Sequence, residues 1–371
     1  MDLVSSSTFA DKVCTLLNDM QFPGLAMALS GCCTVSHASE QRIEMELHIP
    51  FATQRDTLYK QLVTQFHQQL GVQPEVILNT RIENYRIANA GKAAPGKQQS
   101  TRALPSVKNV IAIASGKGGV GKSTTAINLA LALRQEGAHV NMLDADIFGP
   151  SQALLSGLPA NTRPEVRDQN MFVPVVAHGL QMMSMGFLIT EHTPMVWRGP
   201  MASGALQQLF NQTAWDHLDY LIVDMPPGTG DIQLTLSQSC PVTAAVIVTT
   251  PQDIALLDAI KGIEMFHKVN VPILGIIENM SVHICSHCGH AEPIFGEGGG
   301  ERVSREYHVP LLGRLPLDMR IRQQADAGRP TVIAEPESAV AAEYRRTALH
   351  MAAALCKLEI EHRIPNVINL R

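Results

Sequence analysis

The chain has 371 residues, and at about 150 residues per domain this length predicts two folded units rather than one. Of its residues, 45% are hydrophobic and 17% are charged, which supplies a core and excludes a wholly disordered protein. The 29 lysines and arginines and the 34 aspartates and glutamates give a net charge of -5. We therefore expect no strong attraction to nucleic acid and none to anionic membranes.

The cysteines and the first residues of the chain bear on where in the cell the protein is expected. Seven cysteines, an odd number, are scattered without the spacing of a disulfide framework, which is typical of a reducing compartment. The first residues form no basic segment followed by an apolar one, and no run of about 18 apolar residues occurs. We expect a cytoplasmic protein without a membrane span. The cysteines expected to pack in cores are Cys14, Cys32, Cys33, Cys240 and Cys356.

Residues 1–88 are expected to form a small α/β domain, because helical and strand patterns alternate along them. The helical patterns lie near 9–20 and 53–70, and the strand patterns lie at 42–49 and 75–82. Residues 89–107 then combine Ala, Gly, Pro, Gln and Lys without apolar periodicity, which is the composition of a flexible linker. The second predicted domain comprises residues 108–371.

Short apolar runs recur in the second domain and are typical of buried parallel strands. They lie at 110–114, 140–144, 220–224, 245–249 and 273–277. Between the first two, apolar residues follow helical spacing from Ala126 to Leu133, and Gly137 stops the helix. This alternation predicts an α/β fold with a doubly wound, mostly parallel sheet that binds ligands at the carboxyl ends of its strands.

A glycine-rich motif directly follows the first of these strands. The sequence GKGGVGKS fits the pattern G-x-x-x-x-G-K-S/T of a phosphate-binding P-loop between a strand and a helix. Glycines let backbone N–H groups turn toward phosphate oxygens, and the start of the helix adds positive potential. Lys122 is expected to reach the β and γ phosphates, and Ser123 to bind Mg²⁺. The predicted nucleotide-binding residues of the loop are Gly116, Lys117, Gly118, Gly119, Val120, Gly121, Lys122, Ser123 and Thr124.

Three glycines of the same loop also fit G-x-G-x-x-G, with Asp144 about twenty residues later, which is a dinucleotide-binding pattern. That pattern does not need Lys122 and Ser123. The strand that ends at Asp224 supplies the carboxylate that a magnesium–nucleotide site requires. The P-loop interpretation is therefore favoured over a Rossmann site and over a glycine-rich turn without a ligand.

The sequence GKGGVGKST resembles the deviant Walker A motif of the MinD, ParA and nitrogenase iron protein class. The resemblance implies that Lys117 crosses a dimer interface to the partner's nucleotide, whereas residue type alone indicates a solvated loop charge. Two later segments, DAD and DMPPGTGD, resemble the switch segments of that class. We assign Asp146 to the attacking water and Asp224 to the magnesium side, with helix capping as the alternative. Catalytic roles are thus expected for Lys117, Lys122, Asp146 and Asp224.

Asn279 follows the last of the five apolar runs. By resemblance, the class places its adenine-binding amide at this point, so Asn279 is the tenth predicted nucleotide-binding residue. An asparagine that caps a turn explains the residue almost as well.

The second candidate site is the pair Cys285 and Cys288, in the polar sequence HICSHCGH. This C-x-x-C spacing lets both thiolates bind one metal, yet a structural site normally has four ligands. Two subunits that each contribute the pair would supply four thiolates to a 4Fe-4S cluster at a symmetric interface. Alternatively, His283, His287 or His290 joins the thiolates on zinc, or the pair is a redox dithiol or two free thiols.

The P-loop, DADIFGPS, DMPPGTGD, VWRGPM and CSHC occur in the order found in the Mrp/ApbC family of iron-sulfur cluster carrier ATPases. The resemblance covers about residues 108–350. It implies a homodimer that holds a 4Fe-4S cluster on Cys285 and Cys288, slowly hydrolyses ATP, and passes the cluster from scaffold proteins to apo iron-sulfur proteins. Residues 1–88 are similar in size and layout to the small iron-sulfur assembly domain often fused ahead of such ATPases.

Two other functions remain open at the level of sequence. One is a positioning ATPase of the MinD or ParA kind, which would need a lipid-binding tail or a basic DNA-binding face. The C-terminal residues mix charges and show neither. The other is a zinc-stabilised nucleotide-binding adaptor.

Overall fold

A computed structural model describes residues 8–85, 106–167, 171–188, 199–285 and 287–362. Most of the predicted linker 89–107, and residues 196–198 of the VWRGPM motif, lie outside the described residues. The chain folds into two compact units. The first comprises the described residues 8–85, Gln135–Gly137 and 352–362, and the second comprises the others.

The first unit is a small α/β fold around a three-stranded sheet of order β1-β2-β3. Strand β2 pairs antiparallel with β1 and parallel with β3. Short 3₁₀ turns lie at Leu29–Gly31 and Ala52–Gln54, and a π-helical turn at Phe66–Leu70 follows α2. The main elements are α1 (Phe9–Asp19), β1 (Cys33–Ala38), β2 (Arg42–Leu47), α2 (Arg55–Gln65) and β3 (Glu75–Thr80).

Alternation of apolar and polar residues fixes which side of β2 faces the core. Ile43, Met45 and Leu47 are 0% exposed, whereas the residues between them are half-buried. A strand with this period of two buries one face only, as expected for a sheet covered on one side by helices.

The expectation that Cys14 packs in a core is wrong, because Cys14 is exposed. Val13 and Leu17 are the buried residues of α1, and they lie one turn apart on the same face. Cys14 follows Val13 by a rotation of about 100°, which turns its side chain away from that face. The other four cysteines expected in cores, Cys32, Cys33, Cys240 and Cys356, are buried as predicted.

The second unit is built on an eight-stranded sheet of order β15-β12-β11-β4-β10-β5-β9-β8. Its helices are α3 (Lys122–Gln135), α4 (Gln152–Leu155), α5 (Gly199–Asn211), α6 (Asp231–Ser239), α7 (Asp253–Lys268), α8 (Gly299–Tyr307), α9 (Met319–Asp326), α10 (Thr331–Ala334) and α11 (Ala339–His362). The residues of α11 from Ala352 onward are assigned to the first unit. Its strands are β4 (Val107–Ala114), β5 (Val140–Asp144), β6 (Glu165–Arg167), β7 (Met171–Val173), β8 (Val175–Ala177), β9 (Leu180–Ser184), β10 (Leu218–Asp224), β11 (Ala244–Thr249), β12 (Ile273–Glu278), β13 (His283–Ile284), β14 (Ala291–Glu292) and β15 (Leu311–Arg314).

The large sheet is parallel except for its edge strand β8, which runs antiparallel to β9. All residues of β5 and β11 are buried, because helices cover both faces of the sheet. The predicted mostly parallel α/β fold is therefore confirmed. Each of the five predicted strands is present, and most extend one to three residues beyond the apolar run.

Strand order brings the candidate residues together. Strand β4 lies between β10 and β11, and β10 in turn lies beside β5. The parallel register places Asp224, at the end of β10, next to Asp144 at the end of β5. The carboxyl ends of these strands therefore surround the loop that follows β4. No described helix is both long and apolar enough to cross a membrane.

Candidate functional site

The P-loop joins the end of β4 to the start of α3. Gly119 and Gly121 have φ of +81°, a left-handed conformation that glycine adopts without strain. A Cβ at Gly116 would stand 2.0 Å from the backbone oxygen of Asp258 in α7, so only glycine permits this close approach. At Gly118 no described atom lies within 4 Å of a Cβ position. The space over the loop is therefore open to a phosphate group.

Lys122, the first residue of α3, is the centre of a buried polar cluster. Its ammonium group donates to a carboxylate oxygen of Asp224 and, at 3.1 Å, to the hydroxyl of Ser123. Asp146 Oδ2 lies 4.0 Å from the same ammonium group. The structure thus brings together the predicted phosphate-binding lysine, the predicted magnesium ligand and two predicted catalytic carboxylates.

The oxygens of this cluster fit a magnesium ion. Ser123 Oγ and the Asp224 carboxylate are hard oxygen donors of the kind that Mg²⁺ prefers. Lys122 Nζ contacts both groups and brings a positive charge among them. The cluster therefore already accommodates a cation, and Ser123 and Asp224 are the residues that would hold the metal.

Gln152, the first residue of α4, belongs to the site although no sequence signal indicates it. Its Nε2 donates to the backbone oxygen of Ser123 at 3.0 Å and to Asp224 Oδ2 at 2.7 Å. The residue is 1% exposed, and its Oε1 has no hydrogen-bond partner among the described residues. Gln152 therefore holds the Asp224 carboxylate directly and the backbone of Ser123, the residues of the two candidate magnesium ligands.

Asp144 supports the site from the adjacent strand. Its carboxylate accepts hydrogen bonds from the backbone N–H groups of Asp146 and Gln152 at 3.1 Å, and from the Ser184 hydroxyl at 3.0 Å. Burial, followed by the negative charge of Asp224, raises the pKa of Asp144 to about 7. A fully buried carboxylate with these partners holds the following segment in place, which does not fit the ribose-binding role of the dinucleotide interpretation.

The two carboxylate oxygens of Asp146 have different partners. Oδ1 accepts hydrogen bonds from the backbone N–H groups of Phe148, at 3.3 Å, and Gly149, at 3.1 Å. These two bonds close a local turn. Oδ2 faces the Lys122 ammonium group. Burial raises the pKa of Asp146, and Lys122 opposes that shift. The carboxylate thus caps a turn with one oxygen, and its other oxygen lies beside the Lys122 ammonium group.

Asn279 lies against the P-loop rather than at a distance from it. Its Nδ2 donates to the backbone oxygen of Val120 at 2.8 Å, and Asn279 is 7% exposed. This amide hydrogen bond explains the residue structurally, and the predicted contact with adenine stays a prediction. Thr124 is half-buried in the first turn of α3.

Lys117 is half-buried in the loop. Its backbone oxygen accepts the Ser115 hydroxyl at 2.9 Å. Across the part of the chain that is described, its ammonium group forms neither a hydrogen bond nor an ion pair. The predicted role of this lysine in a dimer therefore meets no competing contact from the described residues.

The cysteine pair lies at the tip of a short hairpin, which we call the cysteine hairpin (residues 283–292). Strands β13 and β14 pair antiparallel and form its base. The backbone N–H of Cys285 donates to the oxygen of His290, and the N–H of Gly289 donates to the oxygen of Cys285, both at 2.9 Å. Gly289 has a φ of +71°. Cys288 is exposed and Cys285 is partly exposed, so both thiols are open to a ligand.

The turn of the cysteine hairpin favours a thiolate. The pKa of Cys285 is lowered, first by the backbone N–H of Cys288 and next by that of His287, because both groups stabilise negative charge on its sulfur. In the described residues, no three His, Cys, Asp or Glu side chains are arranged to hold one metal ion. His283 Nδ1 lies 3.2 Å from the backbone oxygen of Leu317 instead. The histidine beside the two thiolates that the zinc alternative needs is not found among the described residues.

The fold and the phosphate-binding site define a P-loop NTPase. Residues 106–352 match the ParA family, described as NUBPL iron-transfer P-loop NTPase, and the chain belongs to this family. The family relationship predicted from the motifs is thereby confirmed.

Two curated relatives share the name iron-sulfur cluster carrier protein. The protein from Pseudomonas fragi is 64% identical over 257 residues, which cover 69% of this chain and 90% of that protein. The protein from Escherichia coli K12 is 48% identical over 341 residues, which cover 91% of this chain and 90% of that protein. A solved nucleotide-binding protein in complex with ADP, from Archaeoglobus fulgidus, is similar with a TM-score of 0.56 and 35% identity. The matched region covers 65% of this chain and 92% of the chain of that protein.

Proposed function

We propose that this protein is an ATP-hydrolysing carrier of iron-sulfur clusters that works in the cytoplasm. The observation that carries the proposal is the solvent-accessible thiol pair of the cysteine hairpin on a P-loop NTPase unit. The relatives named as cluster carriers support it. The cluster is the cargo of the protein, and ATP is its substrate.

Cys285 and Cys288 of two subunits together hold one 4Fe-4S cluster. A cluster of this type takes four thiolates, and each chain offers two. The described residues gather no third ligand beside them. A symmetric homodimer places one pair against its copy and completes the set. Transfer to an apo iron-sulfur protein is then an exchange of thiolate ligands, in which each iron–sulfur bond lost to this protein is replaced by one to the acceptor. Scaffold proteins would supply the cluster in the same way.

The nucleotide site acts through residues that are already assembled. On ATP binding, Lys122 exchanges its contact with Asp224 for the β and γ phosphates. Ser123 and Asp224 would hold Mg²⁺, and a bound Mg²⁺ would neutralise phosphate charge. Asp146 Oδ2 orients the attacking water, and Lys117 reaches the nucleotide of the other subunit.

Anaerobic reconstitution with iron and sulfide tests the proposal. The wild-type protein should take up about four iron and four sulfide ions per two chains and run as a dimer in light scattering. Cys285→Ala and Cys288→Ala should each lose the visible absorbance of the cluster. Cys14→Ala is the matched control, because Cys14 is an exposed thiol outside the hairpin. Absence of bound sulfide in the wild type, or full retention in Cys285→Ala, would contradict the proposal.

A further inference from the structure

A short segment connects the P-loop with the cysteine hairpin. Asn279 directly follows β12, and Cys285 comes only six residues later. We call residues 279–283 the connecting segment. Both ends of it are fixed by contacts that the sequence does not indicate, so the path between the two candidate sites is short and defined.

The first end of the connecting segment is bound to the P-loop. Asn279 Nδ2 donates to Val120 O, and a Cβ at Gly121 would stand 2.2 Å from that nitrogen. Met280 Cε lies 3.8 Å from the same Cβ position. Both residues therefore lie against the two loop residues that immediately precede Lys122.

Met280 holds an unusual backbone conformation at this end. Its φ is +56°, in the left-handed region that residues with a Cβ rarely adopt. Such conformations persist where the surrounding contacts fix them, and they concentrate at functional and switch segments. Here the hydrogen bond of Asn279 to the P-loop and those of Ser281 to Leu315 hold the turn on both sides.

The other end is bound to the chain after β15. Ser281 donates from its backbone N–H, at 3.0 Å, and from its hydroxyl, at 3.1 Å, to the oxygen of Leu315. The N–H of Leu317 donates to the oxygen of Val282 at 2.8 Å, and His283 forms a parallel bridge with Leu317. The connecting segment is therefore hydrogen-bonded at both ends, to the P-loop and to the chain after β15.

We propose that Asn279 and Met280 are positioning residues that couple nucleoside triphosphate in the P-loop to the arrangement of Cys285 and Cys288. The inference rests on the proposed function and adds its regulation. Nucleotide moves Lys122 from Asp224 to phosphate, and Val120 and Gly121 precede that lysine directly. The connecting segment carries the resulting change to the hairpin. Coupling of this kind is reciprocal, so a loaded cluster changes nucleotide affinity by the same factor.

Alkylation of the metal-free, full-length protein tests the coupling without a cluster. The rate of iodoacetamide labelling of the peptide that contains Cys285 and Cys288 is measured by mass spectrometry, with and without saturating magnesium and a non-hydrolysable ATP analogue. In the wild type, nucleotide should change this rate about fivefold or more. In Asn279→Ala and Met280→Gly, with saturation verified by calorimetry, the ratio should fall to about one.

Two controls separate coupling from a general structural effect. His308→Gly changes another residue with left-handed φ, +53°, at the exposed end of α8, and should keep the wild-type ratio. Labelling of Cys14 should not respond to nucleotide in any variant. An unchanged rate in the wild type, or a wild-type ratio in both nucleotide-loaded variants, would overturn the inference. Failure of the proposed function is seen separately, as a wild type that takes up no iron and sulfide.

Discussion

The ion pair between Lys122 and Asp224 predicts a large loss of stability when the lysine loses its charge. Lys122→Met keeps the aliphatic stem and removes the ammonium group, which leaves Asp224 buried beside Asp144 without its cation. Removing one partner of a buried ion pair costs about 3 to 5 kcal/mol. The Lys122 side chain is 6% exposed and that of Asp224 is 0% exposed, so solvent screening reduces this cost little.

Urea unfolding followed by tryptophan fluorescence measures the loss. Trp215 is 6% exposed and reports the second unit in a Trp197→Phe background. With a slope of about 3 kcal/mol per M urea, the predicted cost lowers the midpoint by ~1 to 1.7 M. The same variant should lose measurable ATP binding in calorimetry, because Lys122 is also the residue proposed to bind the β and γ phosphates.

Asp224→Asn, alone and combined with Lys122→Met, completes a double-mutant cycle. If the two side chains stabilise the unit as a pair, the double variant should lose less free energy of unfolding than the sum of the single losses, by about 1 to 3 kcal/mol. A wild-type midpoint in Lys122→Met, or additive losses in the cycle, would refute the reasoning.

Two further predictions concern residues around this pair. Gln152→Leu removes the donors to Ser123 and Asp224. It should weaken the apparent magnesium affinity of ATP turnover about ten- to a hundredfold with little change in ATP KM, and a magnesium titration that matches the wild type would count against it. Gly116→Ala places a Cβ against the Asp258 backbone and should abolish nucleotide binding in calorimetry. Gly204 lies inside α5, and no described atom is within 4 Å of its Cβ position, so Gly204→Ala should instead raise the free energy of unfolding by about 0.5 to 1 kcal/mol. If Gly116→Ala also bound nucleotide and raised the free energy of unfolding, the glycine argument would be contradicted.

The sequence by itself determined the features that depend on near neighbours. The buried strands and the P-loop are short motifs, and their backbone conformation follows from residue type and spacing. Helix α3 ends at Gln135, and Gly137 has a left-handed φ of +94°, as the glycine predicted. The class of fold followed from the alternation of such motifs, since strand and helix in turn require a parallel sheet.

Only the tertiary structure decided which distant residues meet. Asp224 pairs with a lysine 102 positions earlier because β10 lies between β4 and β5, an order that no local pattern specifies. Gln152 enters the site through two side-chain hydrogen bonds, to Ser123 and Asp224, and no sequence pattern indicated either of them. Asn279 was predicted as a nucleotide-binding residue, but its hydrogen bond to Val120 was not. The exposure of Cys14 likewise depends on which face of α1 packs. Packing energy is shared among all elements of a unit, so it selects these contacts only when the whole chain is folded.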